Sequence, residues 1–277
     1  MTATPPDRYA VDRLIRQVAA AAILPRFRNL AEDDIREKKP GDLVTAADED
    51  SERRLTAALP DLLPGSRVVG EEAASRDEGV MAALDGPDPV WVVDPVDGTH
   101  NFAHGKDRFA VIVALCQHGA VTAAWIHGPT DGTTVWAAPG QGAWRLDEPE
   151  GPRRLAVNPA RPLPDMTGSL GYRWRKKVQQ AREAERPGLP AKVIRAGCTG
   201  WDYADLALGR LDFAQYTRLK PWDHAAGILI HAEAGGYNAL TEDGAAYRVT
   251  GQVDPRTILL APDRASWQAM KDLLESL

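Results

Sequence analysis

Residues 91–102 read WVVDPVDGTHNF: an apolar run ends in Asp94, a second acid follows at Asp97, and Gly98 and Thr99 come next. Two carboxylates this close at the mouth of a buried strand repel one another, a costly arrangement unless positive charge lies between them. Two more acids share the grammar. Glu71 closes the apolar stretch RVVG, and Asp223 opens the helical stretch WDHAAGILI. Hard divalent cations such as Mg²⁺ want octahedral oxygen ligands at about 2.0–2.1 Å and keep several waters that a substrate can replace. A pair of such ions, roughly 3.5–4 Å apart, needs one bridging carboxylate and others on each side. Asp94 and Asp97, stiffened by Pro95 and the glycine turn, suit that demand. Any one of these acids alone reads as a turn or cap residue, Asp223 as a helix N-cap, but DPVDGT and GEE together point to metal. Gly98-Thr99 adds backbone N–H groups that no bulky side chain shields from a phosphate oxygen, and a hydroxyl able to hold a water. Asp48, in VTAAD, would orient Thr99 if the two segments meet.

The elements that must position these groups can be traced along the chain. Apolar residues at helical spacing over residues 8–24 (Val11, Leu14, Ile15, Val18) predict a helix that ends near Pro25. KKPGDLVTAAD predicts a turn, a short strand and a helix start, with Asp48 or Asp50 as its cap and a continuation to Leu59. Residues 108–129 predict two strands joined at His118-Gly119, and TTVWAAPGQGAW a third. The proline- and charge-rich stretch 145–166 divides the chain into an N-terminal half of about 1–148 and a C-terminal half of about 149–277, both within a single domain. In the second half AKVIRA, RLDFAQYT and RTILLAP read as strands. WDYADLALG, WDHAAGILIHAE (closed by Gly235-Gly236) and the C-terminal segment with Trp267, Met270, Leu273 and Leu274 read as helices. Such alternation predicts a layered α/β or α+β fold.

Composition limits the partners. The 277 residues carry a net charge of −6, which argues against a nucleic-acid polymer as ligand. Cys116 and Cys198 lie far apart with no CxxC, which predicts a reducing, cytoplasmic setting without a disulfide framework. The opening MTATPPDRYA has no basic stretch and no apolar core, so no secretory leader is expected, and VAAAAIL is too short to span a bilayer.

GEE, WVVDPVDGTHNFAHG and PWDHAAGILIHAEAGG, with DLVTAAD upstream, resemble in order and spacing the motifs of the inositol monophosphatase family. That family belongs to the lithium-sensitive, Mg²⁺-dependent phosphomonoesterases that include fructose-1,6-bisphosphatases and bisphosphate nucleotidases. The resemblance implies a layered α-β-α-β-α sandwich, commonly a homodimer, acting on a small phosphorylated metabolite. It assigns Glu71, Asp94 and the carbonyl of Val96 to one Mg²⁺, Asp94, Asp97 and Asp223 to a second, and Glu71 with waters to a third, weaker ion. Gly98 and Thr99 match the phosphate-holding positions, and Asp48 and Thr99 match the pair that places the attacking water, with Glu71 assisting. The default reaction is hydrolysis of inositol monophosphate to inositol and phosphate.

The chain departs from the family on the substrate side. Seven residues before Asp223, where inositol-specific members carry an acid, stands Tyr216. The segment GCTG at 197–200 puts Thr199 where a small alanine usually meets the ring, and Lys220 and Arg218 flank the region. These changes keep histidinol phosphate, fructose-1,6-bisphosphate and 3′-phosphoadenosine 5′-phosphate open as substrates. The family's basic residue before VT..D falls on Glu37, which leaves Lys38 and Lys39 as alternatives. YRWRKK at 172–177 reads first as a solvated helix face and second as a site for another phosphate or for a base stacked on Trp174. His100 would line the site, and the other histidines read as structural or exposed. A non-catalytic metal-binding or regulatory protein is the rival from another class, although none of its expected losses, at Glu71, Asp94, Asp97, Asp223 or Thr99, has occurred.

Overall fold

The computed structural model describes residues 4–147 and 151–277. Helix α1 (Arg8–Val18) buries Val11, Ile15 and Val18 on one face, and a wider, π-type turn over Ala19–Ile23 carries the chain to Pro25. Strands β1 (Ile35–Lys39) and β2 (Asp42–Thr45) form an antiparallel hairpin. Helix α2 (Ala46–Leu62) is capped by Thr45, not by Asp48 or Asp50. The Thr45 hydroxyl accepts from the Ala47 N–H, while the Asp48 carboxylate accepts from the Thr45 N–H at 2.9 Å. This reciprocal capping box places the acid in the third helical position, so the helix begins earlier than the acids alone suggest.

Strand β3 (Arg67–Gly70) runs into a short helix, α3 (Glu71–Arg76), and lies parallel to β4 (Val90–Asp97). After helix α4 (Thr99–Ala103) come β5 (Ala110–Gln117), β6 (Ala120–His127), β7 (Thr134–Ala138), β8 (Gly142–Asp147) and β9 (Gly151–Arg154). These seven strands pair in sequence order, antiparallel from β4 onward. His118 and Gly119 have φ of 53° and 74°, as a two-residue hairpin requires if its twist is to match the strands. TTVWAAPGQGAW is not one strand but the β7–β8 hairpin, turned where Gly140 and Gly142 take positive φ.

The second sheet has the order β11-β10-β12-β14-β13. Its strands are β10 (Thr167–Ser169), β11 (Lys192–Ile194), β12 (Phe213–Leu219), β13 (Tyr237–Leu240) and β14 (Asp254–Ala261). Helices α5 (Tyr172–Glu183), α6 (Thr199–Ala207), α7 (Pro221–Glu233) and α8 (Arg264–Ser276) alternate with them.

Strand periodicity shows how the layers stack. Along β5, Val111, Val113 and Leu115 pack with α1 and α2, while Ala110, Ile112, Ala114 and Cys116 pack with α6 and α7. The same middle layer meets Ala214, Leu219, Ile258 and Leu260 of the second sheet, whose other face packs Phe213 and Leu259 on α5 and α8. The α-β-α-β-α sandwich is therefore the observed architecture. Within the middle layer α6 and α7 approach so closely that a Cβ on Gly227 would lie 2.1 Å from the Tyr203 ring. No helix among the described residues is long and apolar enough to cross a membrane.

Candidate metal centre and its cleft

A regular strand alternates its faces, so residues three apart, such as Asp94 and Asp97, would point in opposite directions. Strand β4 avoids this with a bulge: Asp94 pairs with Ile112 and Asp97 with Ala110, and the register shifts between them. The Pro95-Val96 excursion thus turns both carboxylates toward the middle helical layer. Asp94 Oδ1 accepts from the Val96 N–H at 3.1 Å, which fixes the excursion. Carboxylate oxygens of Glu71, Asp94 and Asp223 all lie within 4.8 Å of one another. Asp97 stands beside this group, with Oδ2 accepting from the Gly200 N–H (2.6 Å) and the Cys198 thiol (2.9 Å) at the start of α6.

Glu71 begins α3, and α2 holds that helix in place. The buried Glu52 carboxylate accepts from the N–H groups of Glu72 (2.7 Å) and Ala73 (2.8 Å), and a Cβ on Gly70 would fall 2.3 Å from it. Lys38 reaches Glu71 at 3.2 Å and Glu72 at 2.9 Å, so Lys38 rather than Lys39 is the lysine at the centre. Lys220 approaches Glu71 at 3.7 Å. Burial alone would raise the Glu71 carboxyl, but Lys220 and Lys38 hold it below the usual range. Burial pushes Asp94 and Asp223 well above it, Asp94 further through Glu71 and Asp97. Asp223 is the third residue of α7, whose cap position belongs to Lys220, so its side chain is not spent on capping.

The upstream segment does meet Thr99. The Thr99 hydroxyl lies 3.1 Å from Asp48 Oδ1 and 3.0 Å from the Val96 carbonyl. Burial raises Asp48 to about 7 even though the Thr45 hydroxyl and N–H both donate to it. Gly98 has φ 86°, and a Cβ there would meet Cys198 at 3.0 Å and the Arg108 carbonyl at 3.1 Å, so only glycine fits.

Beyond Asp97 a cavity of about 310 Å³ is lined by Thr199, Tyr216, Asp202, Gln215, Ser169 and Arg195 among others. The Tyr216 hydroxyl donates to Asp202 Oδ2 at 3.0 Å. Asp202 is 3% exposed and burial raises it to about 6. A buried acid from the neighbouring helix thus stands directly behind the tyrosine at position 216. Sequence reasoning passed over Asp202 and Gln215. The available signal was Asp202 in the first turn of a helix that begins at the substrate-side Thr199. The 172–177 segment lies on α5, on the outer side of the second sheet, and the Trp174 ring is already covered by Lys177 at 4.9 Å and Arg173 at 5.5 Å. His100 is exposed and stacks on His104 at 4.1 Å, while His127, His224 and His231 are buried and held below the usual histidine range by desolvation.

The donor set is all oxygen, with Asp94 buried and Glu71 and Asp223 half-buried, and is crowded with negative charge that Lys38 and Lys220 offset at Glu71, which suits Mg²⁺. The chain is similar to known proteins. The model of the inositol monophosphatase family matches residues 7–272. A Thermotoga maritima protein named fructose-1,6-bisphosphatase/inositol-1-monophosphatase is 30% identical over 202 residues, 72% of this chain and 73% of that protein. A Rhizobium meliloti inositol-1-monophosphatase is 34% identical over 213 residues, 75% of each chain. The solved structure of a Thermotoga maritima IMPase superposes with a TM-score of 0.77 at 23% identity, covering 97% of this chain and 98% of that one, and so shares the fold. The chain belongs to the inositol monophosphatase family.

Proposed function

We propose that this chain hydrolyses a small phosphate monoester with Mg²⁺, by default inositol monophosphate to inositol and phosphate. The convergence of Glu71, Asp94 and Asp223 within 4.8 Å carries the reading. Two Mg²⁺ per site, and a third, weaker ion at Glu71, would be held by Glu71, Asp94, the Val96 carbonyl, Asp97 and Asp223. When bound, Mg²⁺ offsets the charge of the ester dianion and acidifies a water.

The chain's own groups supply the rest. The Thr99 hydroxyl has one proton and two acceptors in reach, so its lone pairs face outward to hold the water. Asp48, raised to about 7, takes up a proton near neutrality through Thr99. The unshielded N–H groups of Gly98 and Thr99 donate to phosphate oxygens, and the first turn of α7 directs its dipole to the same place. The leaving alcohol occupies the 310 Å³ cavity, where Tyr216 backed by Asp202 meets its hydroxyls. In this reading the halves, about 1–148 and 149–277, act as one unit because Asp223 completes a cluster begun by Glu71 and Asp94. We extend to the chain the family's homodimer and lithium sensitivity.

A second reading keeps the chemistry and changes the alcohol, since Tyr216 offers a ring and one hydroxyl in place of a charge. Phosphate release with saturating Mg²⁺ across inositol phosphates, histidinol phosphate, fructose-1,6-bisphosphate and 3′-phosphoadenosine 5′-phosphate, with and without lithium, separates the two. Preference for inositol monophosphate supports the first. Preference for another ester replaces it with the second. Silence across the panel, with Mg²⁺ still raising the melting temperature, would leave a binding protein.

A further inference from the structure

Glu71 borders a second cavity, of about 370 Å³, that the hydrolytic reading does not use. Lys39 at the end of β1, Arg218 and Lys220 after the bend of β12, Trp222 in α7 and the 251–253 loop enclose it. In a regular strand Arg218 would face the same side as Tyr216. Instead the β12–β14 register slips between Thr217 and Leu219, Arg218 takes φ 57°, and its side chain joins the Glu71 cavity while Tyr216 lines the other. A left-handed arginine at a bulge is a strained arrangement of the kind that accompanies binding sites.

The polar groups there lack partners. Among the described residues neither Lys39 nor Arg218 has an ion-pair partner. Of the two acids on the wall, Glu71 is already met by Lys38 and Lys220, which leaves Glu78 against two free cations. A guanidinium and an ammonium without an ion-pair partner line one space, and an oxyanion pairs with both.

We propose that this cavity is a second anion site, which takes a phosphoryl oxyanion on Arg218 and Lys39. The phosphoryl group comes either from a substrate that carries two phosphates or from free phosphate.

The binding arm uses the full chain treated with EDTA and titrated with inorganic phosphate at low ionic strength, followed by calorimetry. Without metal the Glu71–Asp94–Asp223 cluster repels phosphate, so saturable binding reports the cavity. Binding should weaken at least tenfold in Arg218→Gly, which also relieves the left-handed backbone, and in Lys39→Ala. Absence of saturable binding, or binding by both variants as tight as that of the wild type, overturns the proposal. A turnover arm with Mg²⁺ distinguishes the sources. A tenfold fall in the ratio of kcat/KM for a bisphosphate to that for a monophosphate of the same alcohol, in Arg218→Gly, assigns the substrate's second phosphate. An unchanged ratio with weaker inhibition by phosphate assigns free phosphate, and no change in either overturns the site. Since the binding arm needs no turnover, it fails or succeeds independently of the hydrolase reading.

Discussion

Asp94→Asn should stabilise the metal-free protein and abolish its response to Mg²⁺. Oxygens of Glu71, Asp94 and Asp223 lie within 4.8 Å of one another. At that separation, and an effective dielectric constant of about 20, two full charges repel by roughly 3.5 kcal/mol. Lys38 and Lys220 offset the Glu71 charge, and burial lets Asp94 take up a proton, so the net relief is smaller. We expect about 1–3 kcal/mol, or a rise in melting temperature of about 2–4 °C per kcal/mol for a chain of this size. Asparagine keeps the carbonyl oxygen that accepts from the Val96 N–H, so the bulge survives. Calorimetry of both proteins in EDTA and in millimolar Mg²⁺ reads the two effects separately. Wild type should gain stability from Mg²⁺, the variant should not, and its hydrolysis should fall on the order of 10³-fold through lost charge stabilisation. A metal-free variant less stable than metal-free wild type, or one that keeps the full Mg²⁺ increment, refutes the assignment.

Thr99→Ala should lower kcat by about 10²-fold or more while the Mg²⁺-induced rise in melting temperature persists, because its hydroxyl holds water and Asp48 rather than serving as a metal ligand; loss of the Mg²⁺ response in calorimetry would contradict this. Burial raises Asp94 and Asp223, so between the ordinary carboxylate range near about pH 4 and about pH 7, the value to which burial lifts Asp48 and Glu72, the folded metal-free chain holds protons that the unfolded chain has lost. These groups weaken metal-free folding as pH rises through that window, and Mg²⁺ displaces the protons, so the Mg²⁺ increment should grow with pH; an increment flat in thermal scans would count against it. Tyr216→Phe removes the 3.0 Å donor to buried Asp202 and should cost about 1–3 kcal/mol above pH about 6, less below it where Asp202 is protonated; denaturant midpoints on both sides of that pH test it. Gly227→Ala should destabilise by about 1–3 kcal/mol despite the better helix propensity of alanine, because its Cβ would sit 2.1 Å from Tyr203; a raised denaturant midpoint would refute the packing argument.

The layers and the acid grammar were legible because each rests on local pattern. The apolar run AVIVALC of β5, the WVV of β4 and the spacing of α1 announce burial by composition alone. What escaped depends on contacts across the sequence. Thr45 caps α2 only because Asp48 reciprocates, and TTVWAAPGQGAW divides because two glycines take positive φ. Glu52, 19 residues before Glu71 in sequence, steadies α3 through two backbone bonds that no local signal reveals. The choice between Lys38 and Lys39 fell at a register shift in β1, between Glu37 and Lys39, which no local pattern announces: Lys38 meets Glu71 and Lys39 lines the second cavity. Asp202 escaped notice because it reaches Tyr216 on β12 from α6, a contact between elements that local pattern does not show.

The burial of β4 and its bulge explain why the centre is built where it is. A cluster of like charges destabilises whatever holds it, so a mobile loop would relax and separate the carboxylates. Strand β4 has no freedom to do so: all eight of its residues are buried, and its neighbours β3 and β5 pair on either side. The bulge then turns two acids the same way by adding one residue to β4 opposite β5, and α7 brings Asp223 from the middle helical layer. Repulsion that the scaffold cannot relieve by moving is left for a cation to relieve by binding. Part of the affinity for metal is therefore stored in the metal-free fold, and softening the scaffold at Gly227 or Glu52 should weaken Mg²⁺ binding even though neither residue touches the ion.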